Sequence, residues 1–148
     1  MSGPAIAVDL DGVLADTRLL WDAWLEDASR RARVELDVPA DRGAAAGVLD
    51  EALGDWRPLL ARFAADRAPV YIRPRADTNS ALRRLSASGA RIGVFSDAPR
   101  ELLEIALAHA GAARQADAVG TLPEVQAELG GDAVVVRSRE ELAALTLG

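Results

Sequence analysis

Two aspartates stand directly after a short apolar run, in Ala5-Ile6-Ala7-Val8-Asp9-Leu10-Asp11-Gly12. Residues i and i+2 of an extended segment project to the same side, so Asp9 and Asp11 can share one small site. Close carboxylates repel each other unless a cation or a shared proton intervenes. Magnesium is the natural counter-ion, because it takes a few hard oxygens together with substrate phosphate. With that charge quenched, one carboxylate can attack phosphorus while the other passes a proton to the leaving oxygen. Gly12 lets the backbone turn sharply beside a ligand. An EF-hand calcium loop is excluded, since its glycine falls at the sixth position and a glutamate at the twelfth, a pattern absent here. The bland alternative is a polar turn capped by its own acids, and placing two acids against a buried strand is costly for that purpose alone.

A second constellation follows another apolar run, in Val94-Phe95-Ser96-Asp97-Ala98-Pro99. A serine at the end of a strand, followed by a helix opened by proline, brings a hydroxyl and free backbone N–H groups together. Such a place suits an anion. Taken alone, Ser96 and Asp97 read equally as helix caps.

The elements that must hold these residues can be read from pattern. Ala5–Val8, Arg91–Phe95, Ala118–Gly120 and Ala133–Val136 read as strands. Helical spacing runs from Leu20 to Ala32, then Val48 to Leu53, then Trp56 to Phe63, with Asp16 or Thr17 placed to cap the first of these. Asp77–Ser88 and Pro99–Ala110 are further helices, closed by Gly89 and Gly111. Thr121-x-x-Glu124 and Ser138-x-x-Glu141 fit the capping-box pattern. Strands alternating with helices predict an α/β fold, a Rossmann-like parallel sheet with helices on both faces. The expected organisation is an α/β core of 1–16 and 74–148, with a small helical cap, 17–73, inserted after the first strand. In such sheets ligands bind at the carboxyl ends of the strands.

Composition removes most other chemistries. The 148 residues hold no cysteine and one histidine, which excludes disulfide scaffolds, thiol nucleophiles and multi-histidine metal sites. All 17 basic residues are arginine, and the net charge is −6. An acidic chain with scattered arginines is no partner for a nucleic-acid polymer. No run approaches the roughly 20 apolar residues that span a bilayer, and no targeting signal opens the chain. The expectation is a soluble, cytoplasmic protein without a membrane partner. His109 reads as a helix-end dipole partner, and Trp21, Trp24 and Trp56 as core of the helical insert.

The run from Val8 to Thr17 resembles motif I of the haloacid dehalogenase (HAD) superfamily, in the branch typified by phosphoglycolate phosphatases with a C1-type cap. Gly93 to Pro99 resembles its motif II. The resemblance implies an HAD-type core, Asp9 as a nucleophile forming an aspartyl-phosphate, and Asp11 as general acid and base. It implies Mg²⁺ on the Asp9 carboxylate and the Asp11 backbone carbonyl, and Ser96 holding the phosphoryl group with Asp97 and Gly12 beside it. Two motifs depart from the family pattern. The motif III lysine is absent, and Leu122-Pro123 stands where Lys-Pro is expected. The motif IV acids fall on Ser138, Glu140 and Glu141 if Ala133–Val136 is the corresponding strand, or on Thr121 and Glu124 if Ala118–Gly120 is. Glu141 is carried forward as the third metal ligand and Arg114 as the substitute cation, with Arg73, Arg75 and Arg100 as other candidates. The expected activity is a magnesium-dependent phosphatase acting on a small phosphorylated metabolite. The alternative is a catalytically impaired HAD-like protein that binds phosphate or a partner without turnover. A phosphomutase would use the same aspartates but needs a better-sealed site than so short a cap offers.

Overall fold

Strand β1, Ala5–Asp9, owes its place to three consecutive buried residues, Ile6, Ala7 and Val8, flanked on both sides by parallel partners. The computed structural model describes residues 3–147. Strand β2 is Arg91–Phe95, and it pairs with β1 in a register that sets Asp9 opposite Phe95. Strand β3, Ala118–Gly120, adds to the outer side of β2, and β4, Val134–Val136, pairs with the other side of β1. The order β3-β2-β1-β4 is wholly parallel, so every carboxyl end lies at one edge of the sheet and Asp9 lies near its middle. The architecture is α/β, a Rossmann-like four-stranded parallel sheet flanked by helices.

Strand periodicity sorts the core into two clusters. Ile6, Val8, Ile92 and Val94 join one large cluster, whereas Ala7 and Phe95 join a smaller one with Val125 and Leu129. The smaller cluster belongs to α6, Leu122–Leu129, whose start carries the full capping box of Thr121 and Glu124. The larger cluster takes residues from α1 (Arg18–Ala32), α2 (Arg42–Leu53) and α3 (Arg57–Tyr71). It also takes residues from α4 (Ala76–Ala87), α5 (Arg100–Ala110) and α7 (Arg139–Leu147). Trp21, Trp24 and Trp56 lie in it with ring centroids 5.4–6.5 Å apart. Trp56 donates Nε1–H to Asp50 at 2.8 Å, which satisfies its buried polar tip. Helices α1–α3 thus share one apolar cluster with the sheet.

Two helix bounds differ from the sequence reading. Helix α2 begins at Arg42 rather than Val48, because the Asp41 side chain accepts from the Ala44 N–H at 3.0 Å and the alanines that follow favour helix without an apolar signature. Helix α3 runs through Pro69 to Tyr71, since a proline in the last turn forfeits a single backbone bond. Among the described residues no helix is long and apolar enough to cross a membrane.

Gly93 marks the tightest contact between sheet and helix. A Cβ built there would fall 2.3 Å from Val125 Cγ1 and 2.8 Å from Leu129 Cδ1. Gly93→Ala should therefore lower stability by about 1–3 kcal/mol through overpacking, measured by urea unfolding. Val125→Ala in the same chain should recover part of that loss, and additive losses would show that α6 does not seat on Gly93.

Candidate active site

After Asp9 the chain does not continue as strand. Leu10–Leu14 form a wide turn closed by the Ala15 N–H on the Leu10 carbonyl and the Gly12 N–H on the Ala15 carbonyl, both 3.0 Å. Asp11 is extended within it, and Gly12 has φ 101°, which a side chain would strain. A Cβ on Gly12 would also approach the Arg137 carbonyl to 3.1 Å. Gly12 thus lets the turn pass the end of β4 closely.

The turn aims Asp11 at the first residues of α1. Asp11 Oδ1 accepts from the Thr17 N–H at 2.7 Å and from its hydroxyl at 2.8 Å. Asp11 Oδ2 accepts from Arg42 Nη2, and from the Ser96 hydroxyl at 3.5 Å. Arg42 comes from the first turn of α2 and is 1% exposed, the single charged side chain buried among the described residues. Its Nη2 donates to Asp97 Oδ1 at 2.8 Å, its Nε to the same oxygen at 3.0 Å, and its Nη1 to the Thr17 hydroxyl at 2.6 Å. Its backbone N–H donates to Asp97 Oδ2 at 3.0 Å, so a carboxylate from the end of β2 caps α2. Arg18 donates to the same Asp97 oxygen at 3.1 Å. Burial pushes the Asp97 carboxyl up, but the Arg42 hydrogen bonds and the charges of Arg42 and Arg18 outweigh it and hold the group below its ordinary value.

Asp9 is placed differently. Its side chain faces a cleft of about 560 Å³ lined also by Asp11, Arg18, Arg42, Asp97 and Arg137. The nearest cation is Arg137, 3.8 Å away, which follows β4 and lies 5.3 Å from the centre of the Phe95 ring. Burial first, and then the charge of Asp11, push the Asp9 carboxyl from 3.8 to about 6, against the weaker pull of Arg137.

The sequence-derived candidates divide accordingly. Asp9, Asp11, Ser96 and Asp97 meet at the carboxyl edge of the sheet, with Gly12 in the turn beside them. Ser96 is buried, and its Oγ accepts from the Ala98 N–H at 3.0 Å. Arg114 is exposed on the turn Ala113–Gln115 before β3, at the opposite end of that strand, and does not enter the cleft. Arg75 donates to the Val13 carbonyl and Arg100 to the Val119 carbonyl. Glu141 is exposed and pairs with Ser138 as a helix cap, its N–H 3.1 Å from the serine hydroxyl. Glu124 likewise caps with Thr121. Of the two strands considered for the missing acids, β4 is the one beside β1, and the residue it sets against Asp9 is Arg137. Sequence reasoning missed Arg42, Arg18 and Arg137. For Arg42 one signal exists: a cation in the first turn of a helix opposes the helix dipole and calls for an anion nearby.

The donor set tests the magnesium expectation. Magnesium is held by one or two carboxylates, waters and substrate oxygens. Here Asp11 and Asp97 are committed to arginine, and the third position around Asp9 holds a guanidinium. Among the described residues no three acidic or histidine side chains converge in a way that could hold a metal. The Asp9 carboxylate and the Asp11 backbone carbonyl, which the resemblance assigns to magnesium, would be the groups to hold such an ion, with water and substrate oxygens completing its shell. The positive charge of the cleft is supplied by arginine.

Fold and site together define an α/β protein with an aspartate–arginine cleft at the carboxyl edge of a parallel sheet. No family model matches the chain, and no curated protein matches it. Among solved structures it is similar to the L-2-haloacid dehalogenase of Xanthobacter autotrophicus, at 21% identity and a TM-score of 0.45. The same enzyme with chloropropionic acid covalently bound gives 18% identity and a TM-score of 0.45. In both cases 98% of this chain is covered but 63% of the dehalogenase, so the chain spans less than two thirds of those structures.

Two predictions follow from the charges. Removing Arg42 strands two carboxylates against each other, so Arg42→Met should destabilise the fold by about 3–5 kcal/mol in urea unfolding. Arg42→Lys should recover little, because an ammonium cannot reach Asp11, Asp97 and Thr17 at once. Asp9 is harder to ionise folded than unfolded, so without divalent cations its contribution to stability is full below pH 3.8 and lost as pH rises through about 6. Asp9→Asn should then raise Tm at pH 8 by roughly 2–4 °C, about 1 kcal/mol once partial exposure is allowed for. It should leave Tm unchanged at pH 4, and an equal shift at both pH values would show that Asp9 ionisation is not the cause.

Proposed function

We propose that the chain is a hydrolase acting on a small phosphorylated metabolite, with Asp9 taking the phosphoryl group before water removes it. The observation that carries this reading is the inequality of Asp9, Asp11 and Asp97, the three carboxylates at the strand ends, beside which Asp41 also lines the cleft and caps α2. Asp11 and Asp97 are held by arginine and Thr17, whereas Asp9 is partly desolvated, turned to the cleft and faced by a half-exposed arginine. With a pKa pushed up to about 6, Asp9 is ionised at neutral pH yet more basic than an ordinary carboxylate, which suits a nucleophile. Arg137 offers a planar fork of donors to phosphoryl oxygens and stands in for the charge of the absent lysine. In the first step an Asp9 oxygen bonds to phosphorus and the leaving oxygen departs with the electron pair. Water then displaces the carboxylate and phosphate is released. No step needs a bound metal.

A second reading, phosphate binding without turnover, is favoured by one specific observation. Asp11 has both oxygens occupied by donors and offers no free edge to activate water. The two readings separate on phosphate release from a panel of sugar, nucleotide and aryl phosphates, run with and without EDTA. The hydrolase reading expects release that persists in EDTA, vanishes in Asp9→Asn, and falls about 10²–10³-fold in Arg137→Met. Release that requires magnesium would overturn the arginine-based account. Phosphate binding lost in Arg137→Met, with no release from any substrate, would establish the second reading.

A further inference from the structure

A cavity of about 740 Å³ lies between α4 and α7 and shares no lining residue with the aspartate–arginine cleft. Three arginines border it: Arg75 just before α4, Arg84 in the last turn of α4, and Arg139, the first residue of α7. The Arg139 guanidinium has no partner among the described residues, and that of Arg84 reaches only the Ser80 hydroxyl, at 3.5 Å. Asp77 and Glu140 border the cavity too, both exposed, where solvent and salt screen their charge. Three arginines to two acids is an excess of positive charge on a chain whose net charge is −6.

The polar groups of the cavity wall point the same way. The first turn of α4 has no side-chain cap, so its N–H groups take no side-chain acceptor among the described residues. Thr78, in that turn, is 4% exposed and borders the cavity, and its hydroxyl has no hydrogen-bond partner among the described residues. A hydroxyl so buried is normally satisfied. Thr78 therefore keeps a donor for whatever enters the cavity.

We propose that this cavity binds a phosphate-type oxyanion, free or carried on a small molecule, with Arg84, Arg139 and the Thr78 hydroxyl as its donors. Guanidiniums match phosphate oxygens in pairs. Phosphate also presents acceptor oxygens to donors on several sides, here α4 and α7, whereas a carboxylate presents one edge. The site stands apart from the hydrolase reading, with one link to the cleft. Arg75 donates to the Val13 carbonyl at 3.0 Å, in the turn that follows Asp9, so a bound anion competes for the side chain that holds that turn.

The test measures binding by calorimetry at constant ionic strength, in the chain carrying Arg137→Met, which removes the exposed guanidinium of the cleft. Inorganic phosphate should bind at one site per chain. Adding Arg139→Met or Thr78→Val should weaken it about tenfold or more, the worth of a charge-assisted hydrogen bond. Thr78→Val should keep the urea midpoint, because the hydroxyl it removes bonds nothing in the protein. Asp77→Asn should tighten binding by removing an acid beside the anion. Glycerol phosphate bound more tightly than phosphate would assign the cavity to an ester, and the reverse order to the free ion. No binding in the Arg137→Met chain, or binding that Arg139→Met and Thr78→Val leave unmoved, would overturn the site. Phosphate release at the cleft is read separately and stands or falls on its own.

Discussion

The Arg42 guanidinium is the contact on which the cleft depends. A buried cation must be paired, because an unpaired one costs several kcal/mol. Arg42 also sits in the first turn of α2, where the helix dipole is unfavourable to positive charge. Asp97 and Asp11 offset both costs, and in doing so they are drawn together from the end of β2 and the turn after β1. Thr17 completes the arrangement, since its hydroxyl accepts from Arg42 and donates to Asp11. One side chain thereby ties the turn after β1, the start of α1, the start of α2 and the end of β2.

The state of Asp9 follows from that pairing. Arg42 and Arg18 face Asp97, and Arg42 also faces Asp11, so little positive charge remains for Asp9 beyond Arg137. Burial and the neighbouring Asp11 then outweigh the pull of Arg137, which is why its carboxyl rises while that of Asp97 falls. Two acids two residues apart end with opposite roles, one fixed and one free. Arginine also differs from a divalent cation in kind. A metal ion gathers oxygens from any direction and activates bound water, whereas a guanidinium donates along fixed directions and activates none.

The sheet was legible because its signals are local. Ala5–Val8 and Arg91–Phe95 are short apolar runs, and alternation between strands and helices points to a parallel sheet. Asp9 and Asp11 were legible for the same reason, since their spacing and their place after a strand are enough to put them at the carboxyl edge. Arg42 was not. It reaches Asp11 across 31 positions of chain and Asp97 across 55, and one arginine among 17 carries no mark of which carboxylate it meets. The start of α2 was hidden too, because alanines give no apolar stripe and the cap lies in the Asp41 side chain. Arg137 shows a related limit. A search for an acid after β4 passes over the first residue beyond the strand, and that residue is the one that faces Asp9.

Spacing therefore settles less than it suggests about acid–base chemistry. That residues i and i+2 share a side fixes where two Cβ atoms point, and says nothing of which oxygen carries a proton. The proton depends on donors brought from elsewhere in the chain. Here those donors are a threonine that starts α1 and an arginine that starts α2, and both make Asp11 an acceptor. The network that fixes the turn is the same one that meets both Asp11 oxygens with donors. Of the three carboxylates at the strand ends, Asp9 is the one that Arg42 and Arg18 leave facing the cleft.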